Sequence, residues 1–178
     1  DNVESRGLGD VYKRQFLDSD FEGMKVTEKL LEQTGIIGEK IEIGAFEHIS
    51  ASFVGSYIHA GNKIASIVGF SENFDNASDV GKDLSMQIAA MNPVAIDENG
   101  VSQEIIAKEI EIAKDQLRQE GKPEEMLDNI AKGKLKKFFK ENTLINQQFI
   151  KDSKISISQY IKGFSESVEV TDFSRVGI

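Results

Sequence analysis

The stretch GSYIHAGNKIASIVGF (residues 55–70) decides the fold class, because it predicts a β-hairpin near the middle of the chain. Its two β-prone runs are separated by Ala60, Gly61 and Asn62. Glycine and asparagine tolerate a positive φ, so we expect a short loop between antiparallel strands. The stretch also contains His59, one of only 2 histidines in the chain.

Five segments around this hairpin show a helical or an alternating pattern. Gly35 is expected to end the first helix, and Asn92-Pro93 the second, because glycine and the residue before proline disfavour a continuing helix. The alternating segments are expected to be half-buried strands. The pattern predicts helices at 26–34, 78–91 and 156–164, and strands at 39–49 and 167–178.

A highly charged segment at 102–141 predicts two further helices that fold back on each other. Gly121 suits the end of the first helix and Pro123 the start of the second, so the loop between them is very short. The predicted fold class is therefore α+β, a small antiparallel β-sheet packed with helices and interrupted by an inserted, coiled-coil-like antiparallel helical hairpin. Its apolar seams are Ile106, Ile110, Ala113 and Leu117 in one helix, and Leu127, Ala131, Leu135 and Phe138 in the other. Lys134, Lys136, Lys137 and Lys140 are expected beside Glu104 and Glu109.

The first fifteen residues, Asp1–Gln15, show no periodicity and are predicted to be disordered. They end in DVYKRQ, which resembles the translation of a transposon end used as an adapter in DNA library preparation. We interpret the segment as a sequence-assembly scar. The alternative is a genuine disordered N-terminus.

Composition excludes several classes of function. With 21 basic against 30 acidic residues the formal net charge is −9, which argues against nucleic acid as a direct partner. The chain has no cysteine, so disulfides, thiol nucleophiles and Cys-ligated metals are ruled out. No apolar run approaches the roughly 20 residues of a membrane span. We expect no membrane association and a cytoplasmic location.

A search for catalytic motifs gives no candidate. Neither phosphate-binding glycine motif occurs, and there is no G-x-S-x-G elbow. The turn DENG (97–100) lacks the ligand spacing of a calcium loop. His48 and His59 are expected on neighbouring strands without a third metal ligand. We therefore expect no catalytic residue, no metal, no cofactor and no enzyme activity.

Five further blocks of the chain are IGEKIEI (37–43), GSYIHAGNKIASIV (55–68), MQIAAMNP (86–93), EGKPEEM followed by GKLKKFFKE (120–141), and QQFIKDSKISISQYI (147–161). In this order and approximate spacing they resemble bacterial elongation factor Ts. The resemblance begins near Phe16 and reaches the C-terminus. That family is the guanine nucleotide exchange factor for elongation factor Tu, the GTPase that carries aminoacyl-tRNA to the ribosome.

The resemblance implies a domain organisation. The family has an N-terminal three-helix domain and two α+β core subdomains, the second interrupted by a helical hairpin often used for dimerisation. A Phe-bearing Thr-Asp-Phe-Val segment of the first subdomain, which touches the GTPase near its magnesium site, falls in the part not matched. We do not transfer its role to Thr171-Asp172-Phe173, which lies in the C-terminal strand. The implied domains are 16–36 as a remnant of the first core subdomain, 37–101 with 142–178 as the second, and 102–141 as the hairpin.

The resemblance also implies a contact site. The family's hairpin-loop histidine presses against the nucleotide domain of the GTPase, and this role falls on His59. Tyr57, Gly61 and Asn62 would support it, and Lys63 stands where many members have arginine. A structural histidine at a strand end, and a catalytic or metal-binding one, are the alternatives.

Two other functional classes stay open. The first is a non-enzymatic adaptor that forms a homodimer through the helical hairpin, and the second is an enzyme with an unrecognised site. The apolar seams of the hairpin favour packing between its own helices over a dimer surface. Binding to elongation factor Tu, and acceleration of nucleotide release, would separate the exchange factor from both.

Overall fold

Backbone contacts divide the chain into two units, Asp1–His48 and Ile49–Ile178. The structure is a computed structural model that describes the backbone of residues 3–178 and the side chains of residues 10–178. Asp1 and Asn2, which belong to the segment predicted to be disordered, lie outside the described residues. The boundary between the units lies after His48, whereas the sequence suggests one between residues 36 and 37.

The first unit consists of two helices joined by a minimal strand pair. The prediction of disorder in Asp1–Gln15 is wrong for the described part, because a helix runs from Val3 to Asp18. Local periodicity gave no sign of it, since most helical stability in proteins comes from tertiary packing. The elements are α1 (Val3–Asp18), β1 (Asp20–Phe21), β2 (Met24–Lys25) and α2 (Val26–Ile37).

Contacts with the segment after α2 hold α1 in place. The ring of Tyr12 stacks on His48 with 4.2 Å between centroids, and Phe16 packs against Phe46 at 5.4 Å. The strand predicted at 39–49 is absent, because this extended segment pairs with no described strand and lies along the helices. Ile41 and Ile43 are half-buried, but Ala45 is exposed and Phe46 is half-buried, so burial does not keep the alternation that a strand would show.

The predicted end of α2 is also wrong by a few residues. Gly35 lies inside the helix, which continues to Ile37. Gly38 follows with φ of 79°, and its N–H donates to Thr34 O at 2.9 Å. A left-handed glycine is a common helix end, so the right type of signal was assigned to the wrong glycine.

The second unit is an antiparallel sheet covered by one helix, with the predicted hairpin inserted. The sheet has the order β3 (Phe53–Ile58), β4 (Ile64–Phe70) and β7 (Val170–Gly177), with β4 in the centre. β3 pairs with β4 from Phe53↔Phe70 to Ile58↔Ala65, which confirms the predicted β-hairpin. In chain order the elements are β3 (Phe53–Ile58), β4 (Ile64–Phe70), α3 (Ala77–Met91), α4 (Gln103–Gln119), α5 (Glu124–Asn142), β5 (Gln148–Phe149), β6 (Asp152–Ser156), α6 (Ile157–Lys162) and β7 (Val170–Gly177).

One apolar core lies between the sheet, α3 and the segment that follows α5. The buried side chains of α3 recur with helical spacing at Val80, Leu84 and Ile88, as the sequence predicts. The other buried members of the core are Val68, Phe70, Leu144, Phe149, Ile157, Ile161 and Val168. This core confirms the α+β fold class.

The inserted hairpin is held by a narrow seam between α4 and α5. Ala113, Leu117, Leu127 and Ala131 are buried, so these parts of the two seams pack against each other. Gly121 has φ of 75° in the turn between the helices, which confirms its predicted position. The expectation for the lysines is not met for Lys134, which approaches Gln116 and Glu120 at 3.1 and 3.8 Å.

The base of the hairpin is joined to the body by backbone hydrogen bonds. Val94 N donates to Asn142 O at 2.9 Å, and Leu144 N donates to Ala95 O at 2.9 Å. Beside this junction, the buried amide of Gln87 on α3 donates to Gln147 Oε1 at 3.1 Å. α3 thus contacts both the sheet and the segment in which the chain returns from the hairpin.

Candidate functional site: an exposed turn for protein contact

The turn between β3 and β4 contains four of the five predicted contact residues, and Tyr57 lies at the end of β3 beside them. His59 N donates to Ile64 O at 2.8 Å, and Asn62 N donates to His59 O at 2.9 Å. Gly61 and Asn62 have φ of 88° and 55°, the left-handed region that glycine and asparagine adopt most readily. The turn therefore has a defined backbone although its side chains are exposed.

Tyr57 and His59 form a pair of contacting rings at the end of β3. The Tyr57 hydroxyl lies 3.1 Å from His59 Nδ1, within hydrogen-bond distance. The rings meet edge to face with 6.0 Å between centroids. Tyr57 is half-buried whereas His59 is exposed, so the tyrosine can act as a fixed support for the histidine.

Lys63 closes the turn with its backbone and leaves its side chain in solvent. Its carbonyl oxygen accepts a hydrogen bond from Ile178 N at 3.0 Å, just beyond β7. The Lys63 ammonium makes no ion pair with any residue that the structure describes. This cation is therefore free to meet an acidic or carbonyl oxygen of a partner.

A close approach between β3 and α3 fixes the strand that carries the site. A Cβ atom added at Gly55 would lie 2.5 Å from Gly81 Cα, so only glycine fits there. On the neighbouring strand, Ser66 Oγ donates to Ser85 O of α3 at 2.6 Å. Backbone geometry therefore requires glycine at position 55.

Two exposed apolar residues beside the turn were not singled out from the sequence. Val54 and Ile58 are 39% and 64% exposed, and both belong to β3, an edge strand of the sheet. The alternation of SFVGSYIH already places them on the face opposite Gly55 and Tyr57. That signal could have added Ile58, the neighbour of His59, to the candidate contact residues.

The Thr171-Asp172-Phe173 segment lies where its phenyl ring cannot serve as a free contact. Phe173 belongs to β7, pairs with Val68 of β4 and packs against the core. Its ring is a structural element of the sheet. This placement agrees with the decision not to transfer to it the role of the family's Phe-bearing segment.

The two histidines do not form a metal site together. His48 lies outside any strand and stacks on Tyr12 in the first unit, so the expectation of neighbouring strands is wrong. His59 lies in the second unit. Among residues 10–178, whose side chains the structure describes, no group of three or more His, Cys, Asp or Glu side chains is arranged to hold a metal ion.

A pronounced pKa shift belongs to a structural residue, Tyr160 of α6. Burial raises the pKa of its phenol well above the usual range, and the hydrogen bond to Asp83 adds to the shift. Tyr160 Oη donates to Asp83 Oδ2 at 2.9 Å. The Tyr160 ring stacks on Phe149 with 4.2 Å between centroids. The hydrogen bond between Tyr160 and Asp83 joins α6 to α3. Lys151, between β5 and β6, also contacts Asp83 at 2.5 Å.

Two surface concavities lie elsewhere on the second unit. One, of about 420 Å³, is bordered by Met91 of α3, Lys137 and Glu141 of α5, and Gln148. The other, of about 460 Å³, lies between Ile96 and Val170. None of their lining residues belongs to the turn at 59–63.

Comparison with known proteins identifies the family. The family described as Elongation factor TS matches residues 10–178. The chain belongs to the elongation factor Ts family. Elongation factor Ts of Christiangramia forsetii is 59% identical over 166 residues, 93% of this chain and 61% of the relative. The Flavobacterium psychrophilum protein is 55% identical over the same shares, and that of Amoebophilus asiaticus is 46% identical over 88% and 57%.

The elongation factor Ts match includes all the site residues but not the whole length of the relatives. The chain spans 61% of the first two relatives. The match begins at residue 10, which lies inside the segment Asp1–Gln15. The origin of this segment as a sequence-assembly scar therefore stays a prediction. No helix within the described residues is long and apolar enough to cross a membrane.

Proposed function

We propose that the protein acts in translation elongation as a guanine nucleotide exchange factor, which promotes GDP release from elongation factor Tu by binding its nucleotide-free form. The observation that carries the proposal is membership of the elongation factor Ts family over residues 10–178. The structure supports it with an exposed histidine on a turn of defined backbone, a geometry suited to protein contact.

The proposed mechanism uses binding energy and no catalytic side chain. If the factor binds the nucleotide-free GTPase more tightly than the GDP-bound form, linkage requires that it weaken GDP binding by the same factor. Each tenfold weakening corresponds to about 1.4 kcal/mol of differential binding energy. The reaction therefore requires contact residues and no enzyme activity of the protein itself, and we propose no cofactor or metal.

His59 is the proposed central contact. Its exposed ring would press on the nucleotide domain of the GTPase, with Tyr57, Gly61 and Asn62 holding it in position. Lys63 would contribute a single cation, a weaker substitute for the two-pronged contact of an arginine. Exposed Ile58 would add apolar area next to the histidine.

The activity of the chain alone is proposed to be weak. The chain spans 61% of the first two relatives, and the resemblance implies that the family's Phe-bearing segment lies outside the matched blocks. We propose that residues 37–101 and 142–178 form the second core subdomain, that 102–141 form the hairpin and that 16–36 belong to the first subdomain. We further propose a cytoplasmic location and no direct contact with nucleic acid or membrane.

The test is the release of a fluorescent GDP analogue from elongation factor Tu, followed by stopped flow. Residues 16–178, placed in a longer relative, should accelerate release, and His59→Ala should reduce that acceleration about tenfold, the size of an interface hot spot. The free energy of unfolding should change by no more than about 0.5 kcal/mol, because the ring is exposed.

His48→Ala is the matched control, since this second exposed histidine lies in the other unit. It should leave the release rate unchanged. If the chimera does not accelerate GDP release at all, the proposed function is wrong. If His59→Ala mainly lowers stability, the histidine is structural and the contact lies elsewhere.

A dimerising adaptor is the alternative, and the observation that favours it is an exposed pair of apolar side chains on the hairpin. Ile112 and Met126 are 41% and 48% exposed, whereas Ala113, Leu117, Leu127 and Ala131 are buried between the helices. Sedimentation over a range of concentrations tests for a homodimer. A dimer that binds elongation factor Tu without accelerating nucleotide release would favour the adaptor.

A further inference from the structure

The contact between Tyr57 and His59 has a consequence for the way in which the histidine can bind a partner, and it rests on the proposed function. The Tyr57 hydroxyl lies 3.1 Å from His59 Nδ1 and the two rings meet edge to face. Among the described residues, this is the one side-chain hydrogen bond of either group. The geometry therefore fixes the roles of the two ring nitrogens relative to each other.

The backbone of His59 leaves only the side-chain torsions to be set. Its N–H donates to Ile64 O and its carbonyl accepts from Asn62 N, so the Cα position is fixed by the turn. Tyr57 is itself anchored, because its strand position pairs with the buried Ser66 on β4. A half-buried, anchored hydroxyl is thus placed to orient an exposed ring that has few other contacts.

The chemistry of the two groups favours one direction for the hydrogen bond. A phenol O–H is a good donor, and the unprotonated nitrogen of a neutral imidazole is a good acceptor. With Tyr57 donating to Nδ1, the ring proton of neutral His59 must lie on Nε2. The Nε2–H group then points away from its own chain as a donor.

We propose that Tyr57 is a positioning residue that holds His59 in the Nε2–H tautomer, so that His59 donates a hydrogen bond from Nε2 to an acceptor oxygen on the partner GTPase. Suitable acceptors are a backbone carbonyl at the end of a helix or a side-chain carboxylate. Without the Tyr57 hydroxyl, the ring samples both tautomers and more rotamers. The contact then costs additional ordering entropy on binding.

The first test is spectroscopic and does not depend on exchange activity. The 178-residue chain, labelled with ¹⁵N in histidine, is examined by long-range ¹H–¹⁵N correlation at a pH at which both rings are neutral. His59 should show an unprotonated Nδ1 and a protonated Nε2, and Tyr57→Phe should shift both signals towards a mixture of tautomers. A protonated Nδ1 in the unchanged protein, or signals that Tyr57→Phe does not move, would overturn the proposal.

His48 supplies an internal reference in the same spectrum. It stacks on Tyr12 at 4.2 Å, but no hydrogen bond joins the two among the described residues. Tyr12→Phe is therefore the matched control, and it should leave the tautomer of His48 unchanged. A tautomer change there as large as that of His59 would show that loss of any nearby hydroxyl has this effect.

The second test is a double-mutant cycle on the affinity of the chain for nucleotide-free elongation factor Tu. Tyr57→Phe should weaken binding about threefold to tenfold, the range for one lost hydrogen bond. In the His59→Ala background it should weaken binding no further, because the group that it positions is gone. An equal loss in both backgrounds would mean that Tyr57 contacts the partner directly or acts on stability alone. Absence of binding by the unchanged chain would leave the proposed function to be decided by the chimera and this proposal to be decided by the tautomer result.

Discussion

The turn at 59–63 and the helical hairpin of α4 and α5 both project from the second unit, but they are held by different forces. Backbone hydrogen bonds close the turn, and its strand meets α3 so closely that Gly55 has no room for a Cβ atom. The hairpin is held by a seam of small and aliphatic residues and by exposed ion pairs. The turn is therefore suited to a contact of fixed geometry. The hairpin packs mainly within itself and is anchored to the rest of the second unit at its base.

The largest expected effect comes from adding one methyl group in each region. Gly55→Ala should lower the free energy of unfolding by about 3 kcal/mol, because the new Cβ would lie 2.5 Å from Gly81 Cα and push strand and helix apart. Gly133→Ala in α5 should raise it by about 0.5–1 kcal/mol, because no atom lies within 4 Å and alanine favours a helix. Urea denaturation measures both changes. Equal effects would show that the two regions are packed alike.

The next largest effect is expected from a substitution that removes packing only within the helical hairpin. Leu117→Ala should lower the free energy of unfolding by about 2 kcal/mol, at the low end for a buried leucine, because only two helices surround the site and can close on the gap. Leu117 is 1% exposed, whereas Ile112 on the same helix is 41% exposed, so Ile112→Ala is the matched control.

The readout that separates the regions is the state of the turn in the Leu117→Ala variant. Amide hydrogen exchange should speed up in α4 and α5, while the N–H groups of His59 and Asn62 keep their protection. Equal loss of protection in the turn would contradict the description of the hairpin as a separate packing unit.

The smallest effect is expected at the contact between α6 and α3, in the part of the second unit from which both regions extend. Tyr160→Phe should cost about 1 kcal/mol near pH 7, the value of one hydrogen bond, here to Asp83. The pKa of Tyr160 is raised in the fold, so its contribution is fully present below the unfolded pKa of roughly 10 and is lost as the pH rises above it.

Denaturation as a function of pH checks the sign of this contribution. The free energy of unfolding of the unchanged protein should fall more steeply above about pH 10 than that of Tyr160→Phe. If the free energy of unfolding of the Tyr160→Phe variant and of the unchanged protein declined in parallel above about pH 10, the phenol would ionise as in the unfolded chain.

Local patterns were sufficient for the elements whose burial is set within their own segment. The β-hairpin, α3 and the helices of the insert were predicted because apolar spacing and left-handed glycines mark them directly. The loop at residues 60–62 was predicted for the same reason, whereas the contact roles of His59 and Lys63 come from the family resemblance and stay a proposal. The strand prediction for segment 39–49 was wrong because alternation in sequence indicates only that one side is buried. A helix can cover one side of an extended chain as well as a sheet can.

The sequence by itself determined the family, the α+β class and the exposed turn with His59, because these follow from motifs and from periods of two and 3.6 residues. Only the tertiary structure decided that Val3–Asp18 forms a helix, since its support comes from Tyr12 on His48 and Phe16 on Phe46. It alone revealed that Gly55 lies against Gly81, and that the hydroxyl of Tyr57 reaches Nδ1 of His59. Contacts between distant or differently oriented side chains depend on packing in three dimensions, which no local pattern records.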